Sequence, residues 1–397
     1  FSFVHVADLH LGYVQYNLEA RREDFNTAFG EVVDKTIELK PDFMIIAGDV
    51  FQHARPSNVT LENAVTNFRR LRDAGIPVLT VDGSHDSAPN VITGTILNPL
   101  DSAGLIRYLP RHEGASWRNE SCYVYGVPNF RTRGRTEEDL PVFLEQNKPM
   151  PDPSLFNIFV FHMALDLPRV KPPQMEAEAQ PEMLPEGFNY YAGGHVHIPY
   201  KDSFKNGLLV YSGCTETVNY DDALVDKGFF HVEVDRKGVA KLHRIKLETP
   251  RRFIVLDQDF SGSTPAKITE MAVELVKKAD EEGAVIVPIL KGVLPAETGR
   301  GEVDLTRIRN ATEKAILVHP LLWLRETEVP EELIRSIFEG ELKDLKTKAF
   351  EYFFEIFCER YSREEAEKIA RLAVNLIEPL TTKHEAKVKK TLEGYLS

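Results

Sequence analysis

Cysteine is nearly absent from this chain. Its three residues in 397, Cys122, Cys214 and Cys358, lie far apart and without metal-ligand spacing. That excludes a disulfide framework or a zinc ribbon and reads all three as buried free thiols of a reducing compartment. Long apolar runs are missing too. Nothing approaches the ~18–20 residues of a membrane span, and the opening stretch, with His5, Asp8 and His10, lacks the apolar core of a signal peptide. A cytoplasmic protein with no membrane attachment is expected. Basic charge is also short, 48 Lys and Arg against 61 Asp and Glu for a net −13. This excludes a uniformly basic nucleic-acid binder. It does not exclude one with local basic patches, because carboxylates gathered round metal ions are neutralised by those ions.

What the chain does have is five short apolar runs that each end in metal-binding residue types. Phe3-Val4-His5-Val6-Ala7 leads to Asp8 and His10; Phe43-Met44-Ile45-Ile46-Ala47 leads through Gly48 to Asp49. Val78-Leu79-Thr80-Val81 leads to Gly83-Ser84-His85-Asp86, Ile158-Phe159-Val160-Phe161 to His162, and Tyr190-Tyr191-Ala192 to Gly193-Gly194-His195-Val196-His197. Runs of this length and composition read as buried strands. In open α/β sheets ligands collect outside the carboxyl ends of strands, where all five motifs fall. Asp and His from several strand ends can hold two divalent ions about 3.5–4 Å apart, a spacing that clamps the attacking and leaving oxygens of a phosphate ester.

Role assignment follows from ligand chemistry. A mixed carboxylate and imidazole set suits manganese, iron or zinc better than magnesium or calcium, with manganese the first choice. Asp49 is the natural bridging carboxylate, His85 is better used as a positioned acid or phosphate contact than as a ligand, and Asp86 is placed to orient the His85 ring. Any one of these residues alone has a plainer reading as a hydrogen-bonded structural group. Their convergence in one order carries the argument. His5, His53, His112, His231, His243, His319 and His384 fall outside the pattern and read as ordinary.

At these residues the chain resembles the calcineurin-like metallophosphoesterase superfamily, whose pattern is Asp-x-His, Gly-Asp, Gly-Asn-His-Asp/Glu, His and Gly-His-x-His. Val6 to Tyr13, Gly48-Asp49-Val50-Phe51 with Arg55-Pro56-Ser57, and Tyr191 to His197 narrow the resemblance. So do Tyr211 to Glu216 and Lys227-Gly228-Phe229. Within the superfamily they point to the nucleases of the meiotic recombination eleven or SbcD type, the likeness being densest over residues 1–235.

The resemblance implies a four-layer αββα core. It implies two Mn2+ per subunit, one held by Asp8, His10, Asp49 and His197 and the other by Asp49, Ser84, His162 and His195. His85 would contact the scissile phosphate. It also implies 3′ to 5′ exonuclease and single-strand endonuclease action on DNA ends, an SMC-like coiled-coil ATPase partner of the Rad-fifty or SbcC type, and a nucleoid-associated homodimer. The helices near Asn58–Leu71 and Asn90–Leu105 are candidates for the dimer contact. Position 84 departs from the pattern. The usual Asn offers a carbonyl oxygen, whereas the shorter Ser84 hydroxyl is a weak neutral ligand, so occupancy of the second ion is what it affects.

At this length more than one core is expected. Residues 1–250 alternate strands and helices and read as the phosphoesterase domain. A boundary near Thr249-Pro250 opens an α+β module over 251–328: strand 253–256, a helix capped at Ser263-Thr264-Pro265, strand 284–287, a helix from Asp304 to Lys314, and strand 321–324. The resemblance makes this module a capping, DNA-selecting domain. The tail from 329 to 397 is helical, with Ile369, Leu372, Ala373, Leu376 and Ile377 on one apolar stripe, and reads as the partner-binding region. Residues 167–185, dense in Pro and Glu, read as a loop beside His162. Basic candidates for DNA are Arg131, Arg133 and Arg135, with Arg300, Arg307 and Arg309.

Two other readings stay open. One is a phosphomonoesterase or cyclic-nucleotide phosphodiesterase on the same core, disfavoured by the extra module and tail. The other is a DNA-end tether with weak nuclease activity, motivated by Ser84.

Overall fold

The structure, a computed structural model, describes residues 1–87, 94–130, 136–167, 170, 175–295, 298–326, 342–358, 361–381 and 389–392. These fall into two compact units. The first comprises Phe1–Val255 with Asp280–Val287 and Lys314–Leu317; the second comprises Leu256–Ala279, Pro288–Glu313 and Val318–Ser397.

The first unit is built on two six-stranded sheets. One contains β1 (Ser2–Val6), β2 (Phe43–Ala47), β3 (Val78–Val81) and β4 (Arg107–Tyr108) as parallel neighbours. The other contains β5 (Ser116–Arg118), β6 (Cys122–Gly126), β7 (Phe156–His162), β8 (Tyr190–Gly194), β9 (Tyr200–Phe204) and β10 (Gly207–Tyr211), with β6, β7, β8 and β10 parallel. The first sheet ends in β11 (Gly228–Val234) and β12 (Ala240–Lys246), giving the order β12-β11-β1-β2-β3-β4. Parallel strands need crossover connections and are covered on both faces, which explains their uninterrupted apolar sequences.

Alternate residues of β1, β2 and β3 face opposite ways, so Phe3, Phe43, Ile45 and Leu79 join Val124, Ile158 and Tyr190 between the sheets. Val4, Met44, Ile46 and Val78 pack outward with residues of α1 (Glu19–Leu39), α2 (Asn58–Asp73) and α3 (Leu97–Ser102). On the outer side of the second sheet, Tyr125, Phe159 and Tyr191 pack with Leu140 of α4 (Thr136–Gln146). Helix, sheet, sheet, helix is the order of layers the sequence implied.

A third sheet is formed by β13 (Phe253–Asp259), β14 (Val285–Val293), β15 (Leu317–Val318) and β16 (Leu321–Arg325), with β16 parallel to β14. In the second unit, helix α5 (Pro265–Lys278) is capped by the Thr264 hydroxyl, which accepts from Lys267 N. The helix expected from Asp304 to Lys314 is shorter. α6 spans only Leu305–Arg309, because the amides of Lys314 and Ala315 go to the Asp280 carboxylate instead of to helical carbonyls. The tail forms α7 (Leu342–Cys358) and α8 (Arg363–Thr381) packed on each other. Arg371 lies over the Phe350 ring at 5.0 Å. The buried residues of α8 are Ala366, Ala370 and Val374, while Ile369, Leu372, Ala373 and Leu376 of the predicted stripe are half-buried and the Ile377 side chain lies outside those described. Cys122 and Cys214 are buried as expected, but Cys358 is exposed, standing at the end of α7 beside exposed Glu355 and Ile356.

Candidate metal centre

Three of the five motifs leave their strands in a strained turn. Asp8, His10, Asp49 and His195 all have positive φ, at 56°, 46°, 50° and 84°. Non-glycine residues rarely hold this conformation, and those that do cluster at functional sites. Glycine supplies the clearance. A Cβ on Gly48 would lie 2.3 Å from His162 Nδ1, one on Gly83 2.1 Å from Asp49 Oδ1, and one on Gly194 1.9 Å from the Ala47 carbonyl. The strand exits therefore interlock, and a side chain at any of these glycines would separate them.

Six of the predicted ligands converge in two groups with close ligand atoms: Asp8, His10 and His197, and Asp49, His162 and His195. His85 closes a third with His10 and Asp49. The hydrogen bonds say which ring nitrogens are left over. His10 Nδ1 lies 2.8 Å from Gln52 Oε1, His162 Nδ1 2.8 Å from the Ala47 carbonyl, and His197 Nδ1 3.0 Å from Asp222 Oδ2. Each partner is an acceptor, so each Nδ1 carries a proton and each Nε2 is the atom turned inward. Yet His10 Nε2 and His197 Nε2 face each other at 3.4 Å, and His162 Nε2 faces Asp49 Oδ2 at 3.1 Å. Two ring nitrogens facing each other, and a ring nitrogen facing a carboxylate, are contacts that a proton or a cation must bridge. The donor set fits divalent ions on both sides of Asp49.

Titration behaviour agrees. Burial depresses His10 to about 3 and His195 to about 4, keeping both neutral and able to bind metal. At His162 burial is outweighed by Asp49 and Asp8, raising its pKa to about 10. A proton there stands in for a cation. For Asp49 burial acts upward, but His162, His10 and His85 together hold the carboxyl well below the usual range. Asp8, raised to about 6 chiefly by burial, receives the His195 amide at 3.1 Å.

His85 is fixed at both ends: its amide donates to Asp49 Oδ1 at 2.8 Å and its Nδ1 to the Gln52 carbonyl at 3.0 Å. That corrects the role expected of Asp86. Its carboxylate does not orient the His85 ring; it is fully buried and accepts the amides of Val50, Phe51 and Gly83 at 3.2, 2.8 and 2.9 Å, tying the Asp49 turn to the Ser84 turn. Ser84 donates a long hydrogen bond, 3.5 Å, to Asp49 Oδ2.

His10, Asp49, His85, His195 and His197 line a cavity of about 570 Å³ that also takes in Tyr13 and Met175. A second cavity of about 540 Å³, also lined by Tyr13, holds Arg22, His53 and Arg55. Sequence reasoning set His53 aside as ordinary, used Arg55 only for the resemblance, and passed over Arg22 and the partners Gln52, Asp222 and Glu178. Gln52 could have been found, standing three residues after Asp49; Asp222 and Glu178 gave no signal because only the fold brings them to the histidines. Of the predicted DNA contacts, Arg131, Arg133 and Arg135 lie outside the described residues. Arg300, Arg307 and Arg309 are exposed in the second unit.

The sequence profile of the calcineurin-like phosphoesterase family matches residues 1–199. The DNA double-strand break repair protein Mre11 of Methanopyrus kandleri is 29% identical over 353 residues, 85% of this chain and 75% of that protein. The protein of the same name from Archaeoglobus fulgidus is 32% identical over 337 residues, 78% of this chain and 73% of that protein. That from Aeropyrum pernix is 35% identical over 257 residues, 63% and 61% of the two chains.

Proposed function

Since the chain belongs to the calcineurin-like phosphoesterase family and is related over most of its length to archaeal Mre11 proteins, we propose that it is a manganese-dependent DNA nuclease of double-strand break repair. The observation that carries this reading is the pair of inward-facing contacts, His10 Nε2 to His197 Nε2 and His162 Nε2 to Asp49, beside one cavity lined by His10, Asp49, His85, His195 and His197. Asp8, His10, Asp49 and His197 would hold one ion, and Asp49, Ser84, His162 and His195 the other. Bound ions would polarise the phosphate oxygens and supply a nucleophile from water near neutral pH. His85, its Nδ1 tied to a carbonyl, would offer Nε2 to the scissile phosphate or to the leaving oxygen. Gln52 fixes both His10 and His85 through its side chain and its carbonyl, so one residue orients a ligand and the proton donor together.

A polymeric substrate is favoured over a small ester by the second cavity, where Arg22, His53 and Arg55 could take phosphates beyond the scissile one. The reading extends to 3′ to 5′ exonuclease and single-strand endonuclease action, to the module over 251–328 as a DNA-selecting element, and to 329–397 as the region for an SMC-like ATPase. It also extends to a homodimer associated with the nucleoid. No described helix is long and apolar enough to cross a membrane.

The alternative with an observation behind it is a nuclease-weak DNA-end tether. Ser84 Oγ spends its proton on Asp49 and reaches it only at 3.5 Å, a weak substitute for an amide carbonyl ligand.

The test is manganese-dependent degradation of an end-labelled blunt duplex by the protein, its His85→Ala variant and its Ser84→Asn variant. Degradation by the protein but not by His85→Ala is expected, with Ser84→Asn faster. Degradation by Ser84→Asn alone would select the tether. Turnover of small phosphate esters with no DNA cleavage by any form would overturn the nuclease reading.

A further inference from the structure

Four of the five histidines at the site, His10, His85, His162 and His197, give Nδ1 to a protein acceptor; His195 is the exception. Its Nε2 is the atom near a protein partner, 3.6 Å from Glu178 Oε2. That leaves Nδ1 for the side shared with Asp49 and His162. The Glu178 carboxylate is itself placed: Oε2 accepts the Ala164 amide at 2.9 Å, and Glu178 N donates to the Ala164 carbonyl at 2.8 Å. Ala164 stands two residues beyond His162, so the segment carrying Glu178 is laced to the exit of the strand that supplies the other histidine of this group. Glu178 lies within the Pro- and Glu-rich stretch over 167–185, whose plain reading was a solvated excursion.

From this geometry we infer that Glu178 is the positioning residue of the second metal site, holding His195 with Nε2 protonated and Nδ1 free to bind the ion. The inference rests on the metal-centre reading above, and it gives the loop beside His162 a task the family pattern of Asp, His and Gly does not contain. A histidine that binds metal through one nitrogen is oriented, and made more basic, by a carboxylate on the other. The 3.6 Å separation is longer than a hydrogen bond, and such contacts tighten when the site is loaded. The carboxylate also matters more here than it would beside an asparagine at position 84. With Ser84 a weak ligand, the second ion depends on Asp49, His162 and His195, and the charge of Glu178 behind His195 strengthens one of the three.

The first site has its own equivalent in Asp222, which accepts from His197 Nδ1 and from the amides of Val218 and Asn219. The two carboxylates therefore predict separable effects. Manganese binding by the whole chain, followed by electron paramagnetic resonance of free Mn2+, should show two sites. Glu178→Ala is expected to weaken one of them by about 10- to 100-fold and leave the other unchanged. Glu178→Gln, which keeps an oxygen for the Ala164 amide and for His195 but loses the charge, should fall between.

The same titrations in the Ser84→Asn background should show a smaller loss, because the amide carbonyl shares the burden. A thermal midpoint measured without metal should be nearly the same for all forms. Equal weakening of both ions, an unchanged titration, or a drop in the metal-free midpoint that accounts for the lost binding would overturn the assignment. None of these outcomes depends on DNA cleavage, so failure here and failure of the nuclease reading are distinguishable.

Discussion

Two buried histidines in the first unit meet opposite fates. His162 sits among carboxylates and is held protonated to about pH 10 despite its burial. His5 sits between the sheets with Phe3 and Ala7 on the same face of β1, 2.9 Å from the Tyr190 hydroxyl, and burial depresses it from 6.5 to about 3. For His5 the folded pKa lies below the unfolded one. Between those two values the unfolded chain takes a proton that the fold refuses. Stability is therefore lost as pH falls from 6.5 towards about 3, with a slope approaching ~1.4 kcal/mol per pH unit for this one proton. In chelator-treated protein, His5→Gln, which keeps a partner for Tyr190, should unfold more easily at neutral pH. Between about pH 6 and about pH 4 its stability should fall less steeply, by about one proton's worth, in urea titrations. Parallel acid slopes for the two proteins would show that His5 is not the group being charged.

At the scale of elements, the site is made by how closely strand exits approach one another. The Gly194 backbone at the end of β8 passes so near the end of β2 that a methyl group there would overlap the Ala47 carbonyl and crowd His162 Nδ1 at 2.7 Å. Gly194→Ala should therefore cost several times the ~1 kcal/mol of an ordinary glycine replacement and abolish binding of manganese, read by calorimetry and by metal titration. Gly238→Ala is the comparison. It has positive φ but open space around it, so it should be mildly destabilising and bind manganese normally.

This closeness also explains what could be read from the chain beforehand. Strand runs ending in Asp, His and Gly are local in sequence, and the six side chains that converge round Asp49 could be picked out because each stands within four residues of its strand. Asp86 was misread because adjacency to His85 says nothing of direction: the turn sends its carboxylate inward to three backbone amides. Asp222 and Glu178 were invisible for a related reason. Glu178 lies on an irregular segment and Asp222 in a single 3-10 turn, each remote in sequence from the histidine it faces, where no periodicity marks it.

For the whole molecule, the acidic balance and the metal centre are one problem. The chain carries a net −13, and Asp8, Asp49 and Asp222 stand together at the place where a phosphate must arrive. Without cations this site repels its proposed substrate; with two divalent ions its sign is reversed. Metal binding should then act on the fold as well as on the chemistry, because only the native chain brings the ligands together. Saturating manganese at about 100 times its dissociation constant should add ~2.7 kcal/mol per independent site, visible as a rise in thermal midpoint that chelator reverses. Asp49→Ala should lose nearly all of that rise, since Asp49 faces both groups of ligands. Its midpoint without metal should depart from the parent's in a direction set by two opposed effects: relief of a buried carboxylate and loss of the charge that holds His162 protonated. Duplex binding by the cleavage-deficient His85→Ala variant should need manganese in the same concentration range as the thermal shift. Tight duplex binding in chelator would place the DNA contacts on basic surface alone and separate them from the metal centre.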